Sequence, residues 1–101
     1  MSALKWPSKD PDEIEDFVVD WTARLAGDAI ATSMWIVPSG IIASSETFSN
    51  NTTIGGLTGR SGTTIWLSGG TEGLTYTFVN RIETTGGRTY DQSVKTKVKT
   101  R

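Results

Sequence analysis

Six carboxylates crowd between residues 10 and 20: Asp10, Asp12, Glu13, Glu15, Asp16 and Asp20. Such a cluster is where a calcium loop or a glycosidase pair would be sought. A helix–loop–helix calcium site begun at Asp10 needs Gly at its sixth position and Glu at its twelfth. Glu15 and Trp21 stand there, so the pattern fails and a solvated acidic arm remains. A carboxylate pair for glycoside cleavage needs a groove to hold the sugar chain, and a chain of 101 residues has no length to spare for one. Gly55-Gly56-Leu57-Thr58-Gly59-Arg60-Ser61-Gly62 is rich in glycine. It lacks the lysine of a phosphate-binding loop and precedes no helix whose dipole could hold an anion.

The sequence has no cysteine and no histidine. Disulfides, thiolate nucleophiles and zinc ribbons are therefore excluded. So are serine–histidine pairs and histidine metal sites, and no side chain has an unperturbed pKa near neutrality. No catalytic apparatus, metal site or cofactor site emerges, and the chemistry left to the chain is binding.

Three groups of residues are candidates for that binding. Lys95, Lys97 and Lys99 alternate, so they project from one face of the last strand. They fit a basic stripe for nucleic acid or an acidic partner, or lysines guarding a sheet edge. They also fit neutralisation by the acidic start of the chain. The net charge of −1 and the lack of aromatics among these lysines weigh against nucleic acid. Trp66 must point outward if Ile65 and Leu67 point inward. Trp6 is the one large apolar residue of the N-terminal arm. Exposed tryptophans are favoured anchors at protein interfaces, although each could instead be covered by its own loop or arm.

The elements that must position these residues read as strands. Thr, Val, Ile and Trp are plentiful and Gly numbers 11. Residues 1–15 form an extended arm broken by Pro7 and Pro11, and residues 16–101 form one domain. Alternation begins at Phe17, with Phe17, Val19, Trp21 and Ala23 on one face. A second strand runs from Ala29 to Val37; Met34/Ile36 and Trp35/Val37 compete for its inward face, and Trp35 and Val37 are favoured as the core pair, with a bulge upstream. Short strands follow between Ile41 and Phe48, then a long mobile loop over 49–62. A strand over 63–68 and a turn over 69–73 come next. Two long strands, 74–84 and 88–99, flank Thr85-Gly86-Gly87. No apolar run is long enough to span a membrane and no secretory segment starts the chain, so synthesis in a cytoplasm is expected.

The last hairpin has a register that burial decides. A two-residue turn would set Phe78 opposite Lys95 and Tyr76 opposite Lys97, placing core aromatics beside lysines. A three-residue loop instead sets Leu74, Tyr76, Phe78 and Ile82 against Val98, Thr96, Val94 and Tyr90, and turns the lysines away. A one-residue slip inverts every side chain, so the second register is expected. It puts Asn80 opposite Gln92 on the inward side, where both amides need partners. About seven short antiparallel strands, with Tyr76 at a corner position, indicate an immunoglobulin-like or fibronectin-like β-sandwich.

On these residues the sequence resembles a family of small phage and prophage virion proteins, the fibre–tail adaptors, with immunoglobulin-like folds. The stretches that carry the resemblance are Asp20-Trp21, Ser33-Met34-Trp35 leading to Pro38-Ser39-Gly40, and Ile65-Trp66-Leu67-Ser68-Gly69-Gly70. Tyr76-Thr77, Asn80 and Gly86-Gly87-Arg88 complete it. The resemblance spans Asp16 to Lys99 and is weakest from Asn50 to Gly62. It implies a virion protein, made in the bacterial host cytoplasm, that joins tail or baseplate to fibre through protein–protein contacts. Several copies in a symmetric assembly are implied, with no enzyme activity, cofactor, nucleic acid or membrane. It transfers no binding residue. The alternative is an immunoglobulin-like host-surface or carbohydrate-binding module, which requires Trp66 and Tyr90 exposed in one pocket beside amides. A hydrolase accessory module would need a longer parent chain.

Overall fold

A computed structural model of the chain describes residues 4–6 and 8–99. Its elements in order are β1 (Leu4–Lys5), β2 (Glu15–Asp20), α1 (Thr22–Leu25), β3 (Ile30–Ile36), β4 (Ile41–Ile54), β5 (Leu57–Gly69), β6 (Thr75–Thr84) and β7 (Thr89–Lys97). They build a three-stranded sheet, β2-β5-β4, and a four-stranded sheet, β1-β7-β6-β3. Only β1 and β7 run parallel; the other pairs are antiparallel. Placing the second, fourth and fifth strands in one sheet and the third, sixth and seventh in the other is the immunoglobulin-type partition. The all-β sandwich read from the sequence is what the chain forms.

Alternation explains what each strand buries. Phe17 and Val19 of β2 and Ile65 and Leu67 of β5 turn inward. They meet Trp35 of β3, Phe78 and Ile82 of β6 and Val94 of β7 in one core. Trp35 is buried and Val37 packs on the core, while Met34 and Ile36 are exposed, and the register shifts just after Ile30. The last hairpin adopts the three-residue loop, with Tyr76 opposite Thr96, Phe78 opposite Val94 and Ile82 opposite Tyr90. Leu74 departs from that pattern. It belongs to the preceding turn, where its amide bonds Thr71 O, and its side chain is exposed.

Two further expectations fail for local reasons. Alternation from Phe17 does not continue past Asp20, because the Asp20 carboxylate accepts the Thr22 amide at 3.0 Å and its hydroxyl at 2.7 Å. That local turn ends the strand and starts α1, so Leu25 is buried and Ala23 is exposed. The stretch 49–62 is no loop but the tip of the β4–β5 hairpin. Gly55 and Gly56 both have positive φ, 59° and 81°, as a two-residue hairpin turn requires.

The inward amides solve their hydrogen bonding separately. Trp21 Nε1 donates to Asn80 Oδ1 at 2.9 Å and to Thr63 Oγ1 at 3.3 Å. The Thr63 hydroxyl donates to the same Asn80 oxygen at 2.7 Å. Asn80 Nδ2 donates to Ser33 Oγ and Met34 O, both at 3.0 Å. Gln92, opposite, donates to Ser93 O. At the other end Tyr76 fills the corner position, its hydroxyl accepting the Thr71 amide at 2.9 Å.

Asp28 fixes the β6–β7 turn. Its carboxylate accepts from the Ala29 and Gly86 amides and the Thr85 hydroxyl, and lies 3.3 Å from the Arg88 guanidinium. A Cβ at Gly86 would sit 2.7 Å from Asp28 Oδ2, so a larger residue there would displace the carboxylate from the turn. The hydroxyls of Thr84 and Thr85, then the backbone amides, hold the Asp28 carboxyl well below its ordinary pKa.

Two outcomes follow from these polar contacts. Asn80→Ala leaves the buried indole N–H and Thr63 hydroxyl without their acceptor and should lower unfolding stability by about 3 kcal/mol, read by urea titration. Because the folded Asp28 pKa is depressed, its contribution is complete above the unfolded value of about 4 and fades as pH falls toward the folded value. Asp28→Asn should therefore lower the denaturation midpoint at neutral pH and flatten its decline in acid.

Candidate functional site

The outward positions of the three-stranded sheet gather exposed hydrophobic side chains around Trp66. Because Thr63, Ile65 and Leu67 point inward, Thr64, Trp66 and Ser68 must point outward. Trp66 pairs with Asp16 of β2 on one side and Ser44 of β4 on the other. Ile42 lies opposite Ser68, and Val18 opposite Thr64, so both are diagonal neighbours of Trp66. Ile14 continues the outward alternation of β2. Trp66 and Val18 are each 38% exposed, Ile42 64% and Ile14 69%. Asp16 is exposed in the middle of this apolar surround, and no ion pair or hydrogen bond engages its side chain among the described residues.

The hairpin tip closes one margin of the face. Arg60 Nη2 lies 2.8 Å from Asp20 Oδ2. Burial raises the Asp20 pKa, but the Thr22 hydroxyl and amide and the Arg60 guanidinium more than offset it, so the carboxyl stays below its ordinary value. A Cβ on Gly62 would lie 2.6 Å from Ile54 Cδ1 and 3.1 Å from Val19 O. Glycine there lets Ile54 reach the sheet. Asn50 works on the opposite side of the ribbon. Its amide accepts from Ile30 N and donates to Ile30 O, at 2.8 and 2.9 Å, and so binds β4 to the edge of β3 as a strand backbone would.

Lys95 and Lys97 lie on the other outer face, that of the four-stranded sheet, opposite Thr77 and Thr75. The edge-guarding reading fails, because β7 is not an edge strand. Residues 4–6 and Lys9 run beside it: Trp6 N donates to Lys95 O, Lys9 N to Lys97 O and Lys99 N to Lys9 O. The lysines project outward because Val94, Thr96 and Val98 are fully buried between them. Asp16 and Asp20 belong to the opposite sheet, so acid and base are displayed on opposite sides of the sandwich. Lys99 is exposed just beyond β7. Beside the lysines Arg81 pairs with Asp91 at 2.8 Å, which raises the arginine pKa and lowers that of the carboxyl. Met34 and Ile36, about half exposed, and Val79 form the apolar part of this second face.

Trp6 corrects the expectation of an outward arm. Its indole stacks on Phe17 at 4.8 Å between centroids and lies 5.7 Å from Trp35 and 5.9 Å from Phe78. Nε1 donates to Val18 O at 3.2 Å. An indole offers roughly 150–250 Å² of area to bury, and the chain's own core supplies the site.

Sequence reasoning passed over two further residues. Lys9 is fully buried, its ammonium donating to Asp10 O at 2.8 Å and Gly69 O at 2.7 Å. Nothing in a lysine of a polar arm signals this. Arg24 lies over Tyr90 and Trp21, 4.9 and 5.5 Å from the ring centroids, and donates to Asp91 O.

A family model described as podophage GP4 fiber-tail adaptor protein gp77 matches residues 9–97, and the chain belongs to that family. The match runs from the buried Lys9 to the end of β7 and so takes in both sheets, the Trp66 face, Lys95 and Lys97. No curated protein matches the chain.

Placement separates the two candidate tryptophans experimentally. Trp6→Ala should cost about 4 kcal/mol of stability, as core truncations of this size do. Trp66→Ala should change it by less than about 1 kcal/mol. Thermal and urea unfolding of the two variants measure the difference.

Proposed function

We propose that the chain is a non-enzymatic structural protein of a phage virion. It is an adaptor that joins tail or baseplate to fibre through protein–protein contacts, repeated around a symmetric assembly, and the Trp66 face is where it meets its neighbour in the particle. The observation that carries this reading is the exposure of Trp66, Ile42, Val18 and Ile14 together on one sheet face. Several large apolar side chains gathered on one exposed face, interleaved with a few polar ones, favour a protein contact over a solvent surface. Sheet backbone holds these side chains in place, so little ordering cost opposes docking.

The acid–base chemistry supports a binding role over catalysis. Asp28, Asp20 and Asp91 are all shifted downward, by hydroxyls, amides or arginines, and remain ionised. A general acid at neutral pH needs the opposite shift. The carbohydrate-binding alternative gains nothing from the structure. Trp66 faces out from β5, whereas Tyr90 is half-buried on the inward side of β7 against Trp21, and the Asn80 and Gln92 amides are buried.

The test is complementation of phage lacking this protein with Trp66→Asp and Ile42→Asp variants whose folding is verified by unfolding midpoint. Particles should lack the adaptor and carry fewer fibres, as quantified by mass spectrometry and electron microscopy. Normal incorporation of both folded variants would remove the Trp66 face from the adaptor contact.

A further inference from the structure

Of the nine large exposed hydrophobic side chains among the described residues, six lie on the two outer sheet faces: Ile14, Val18, Ile42 and Trp66 on one, Met34 and Ile36 on the other. Each apolar strip has charge beside it, of opposite sign on the two faces. On the three-stranded sheet Asp16 neighbours Trp66 across one strand spacing, and Arg60 already neutralises Asp20. On the four-stranded sheet Arg81 and Asp91 neutralise one another, and Glu83 sits toward the far end of β6. Lys95 and Lys97 are left beside the strip, with no carboxylate partner among the described residues.

We infer that the Trp66 face of one copy docks on the lysine-bearing face of a second copy of this chain. This rests on the reading of the Trp66 face as a docking surface and names its occupant. Asp16 meets the ammonium groups of Lys95 and Lys97, and Trp66 meets the strip of Met34, Ile36 and Val79. The lysine stems add apolar cover while their heads pair with the carboxylate. Extents of 40 × 26 × 24 Å give each face room for the roughly 800 Å² per partner of a standard interface. The two faces lie on opposite sides of a rigid sandwich, so the contact is heterologous. The pair as a whole keeps one face of each kind open, and addition continues until a ring closes or a filament grows.

The inference has a signature that a two-fold dimer cannot imitate. The full chain should associate with rising concentration by sedimentation velocity, and salt should weaken the association. Trp66→Asp keeps the lysine face, and Lys95→Glu with Lys97→Glu keeps the Trp66 face. Each variant alone should sediment as a monomer with an unchanged unfolding midpoint. Mixed in equal amounts they should form a heterodimer and nothing larger, because only one complementary pair of faces survives. A wild type that stays monomeric at every concentration overturns the inference, as does dimerisation of either variant alone or a mixture that stays monomeric. The two ideas fail separately. A monomeric wild type, together with particles that exclude the Trp66→Asp variant, removes the self-contact and leaves the adaptor face standing.

Discussion

The geometry of this sandwich turns on one buried amide. Asn80 has no exposure, and its oxygen takes hydrogen bonds from the Trp21 indole and the Thr63 hydroxyl while its nitrogen donates to Ser33 and Met34. These partners come from both sheets, so the node ties them together with directional bonds. Apolar contacts are non-directional, and a core of Ile, Val and Phe tolerates small slips. A buried amide does not, since an unmatched donor or acceptor costs about 1–3 kcal/mol. With Thr63 committed to the interior, alternation commits Ile65 and Leu67 to it as well. Trp66 is thereby pushed outward. The exposed tryptophan of the candidate face follows from an asparagine on another strand.

The same logic governs the arm and the edges. A buried ammonium is costly unless carbonyls or carboxylates surround it, and Lys9 finds the carbonyls of Asp10 and Gly69. That ties the arm to the β5 end, while Trp6 inserts into the core and residues 4–6 and Lys9 line β7. The chain's own start thus forms one edge strand of the four-stranded sheet. The other, at Ile30, is bound by the Asn50 side chain. On the β4 edge the pairing is broken by irregularities between Ser44 and Thr47 and between Ser49 and Thr52, with Ser45 at φ 51°. Such breaks discourage strand addition.

The sandwich was legible wherever a single strand had an unambiguous apolar face. The last hairpin is the clearest case, because only one register keeps Tyr76 and Phe78 away from Lys95 and Lys97. Trp66 could be placed outward from its two neighbours alone. The hairpin tip carried a signal that low apolar content obscured: Ile54-Gly55-Gly56-Leu57 is a two-residue turn flanked by apolar residues. Composition argued for a loop, while turn chemistry argued for a ribbon, and turn chemistry prevailed. Trp6 and Lys9 were illegible because their burial depends on pairing beside β7, close to the opposite end of the chain. The edge-guarding view of the lysines failed for the same reason. No local pattern reveals which strand lies alongside another.

Charge separation along the sequence becomes charge separation across the thickness of the molecule. The acidic start of the chain runs through β2, which carries Glu15, Asp16 and Asp20, while Lys95 and Lys97 lie on β7, and these strands belong to different sheets. Their outward alternation then sends Asp16 and the lysines in opposite directions. Were β2 and β7 adjacent in one sheet, the charges would neutralise each other within the subunit and specify nothing outside it. Separated by the core, Asp16 and the lysines cannot reach one another within one copy. An adaptor needs surfaces that differ in chemistry and point different ways, and a two-layer sandwich with one acidic and one basic outer face supplies them without a pocket or a moving part. Complementary charge steers the approach and fixes which face meets which. In the proposed contact the apolar strip around Trp66 supplies the affinity that such exposed charges alone would not.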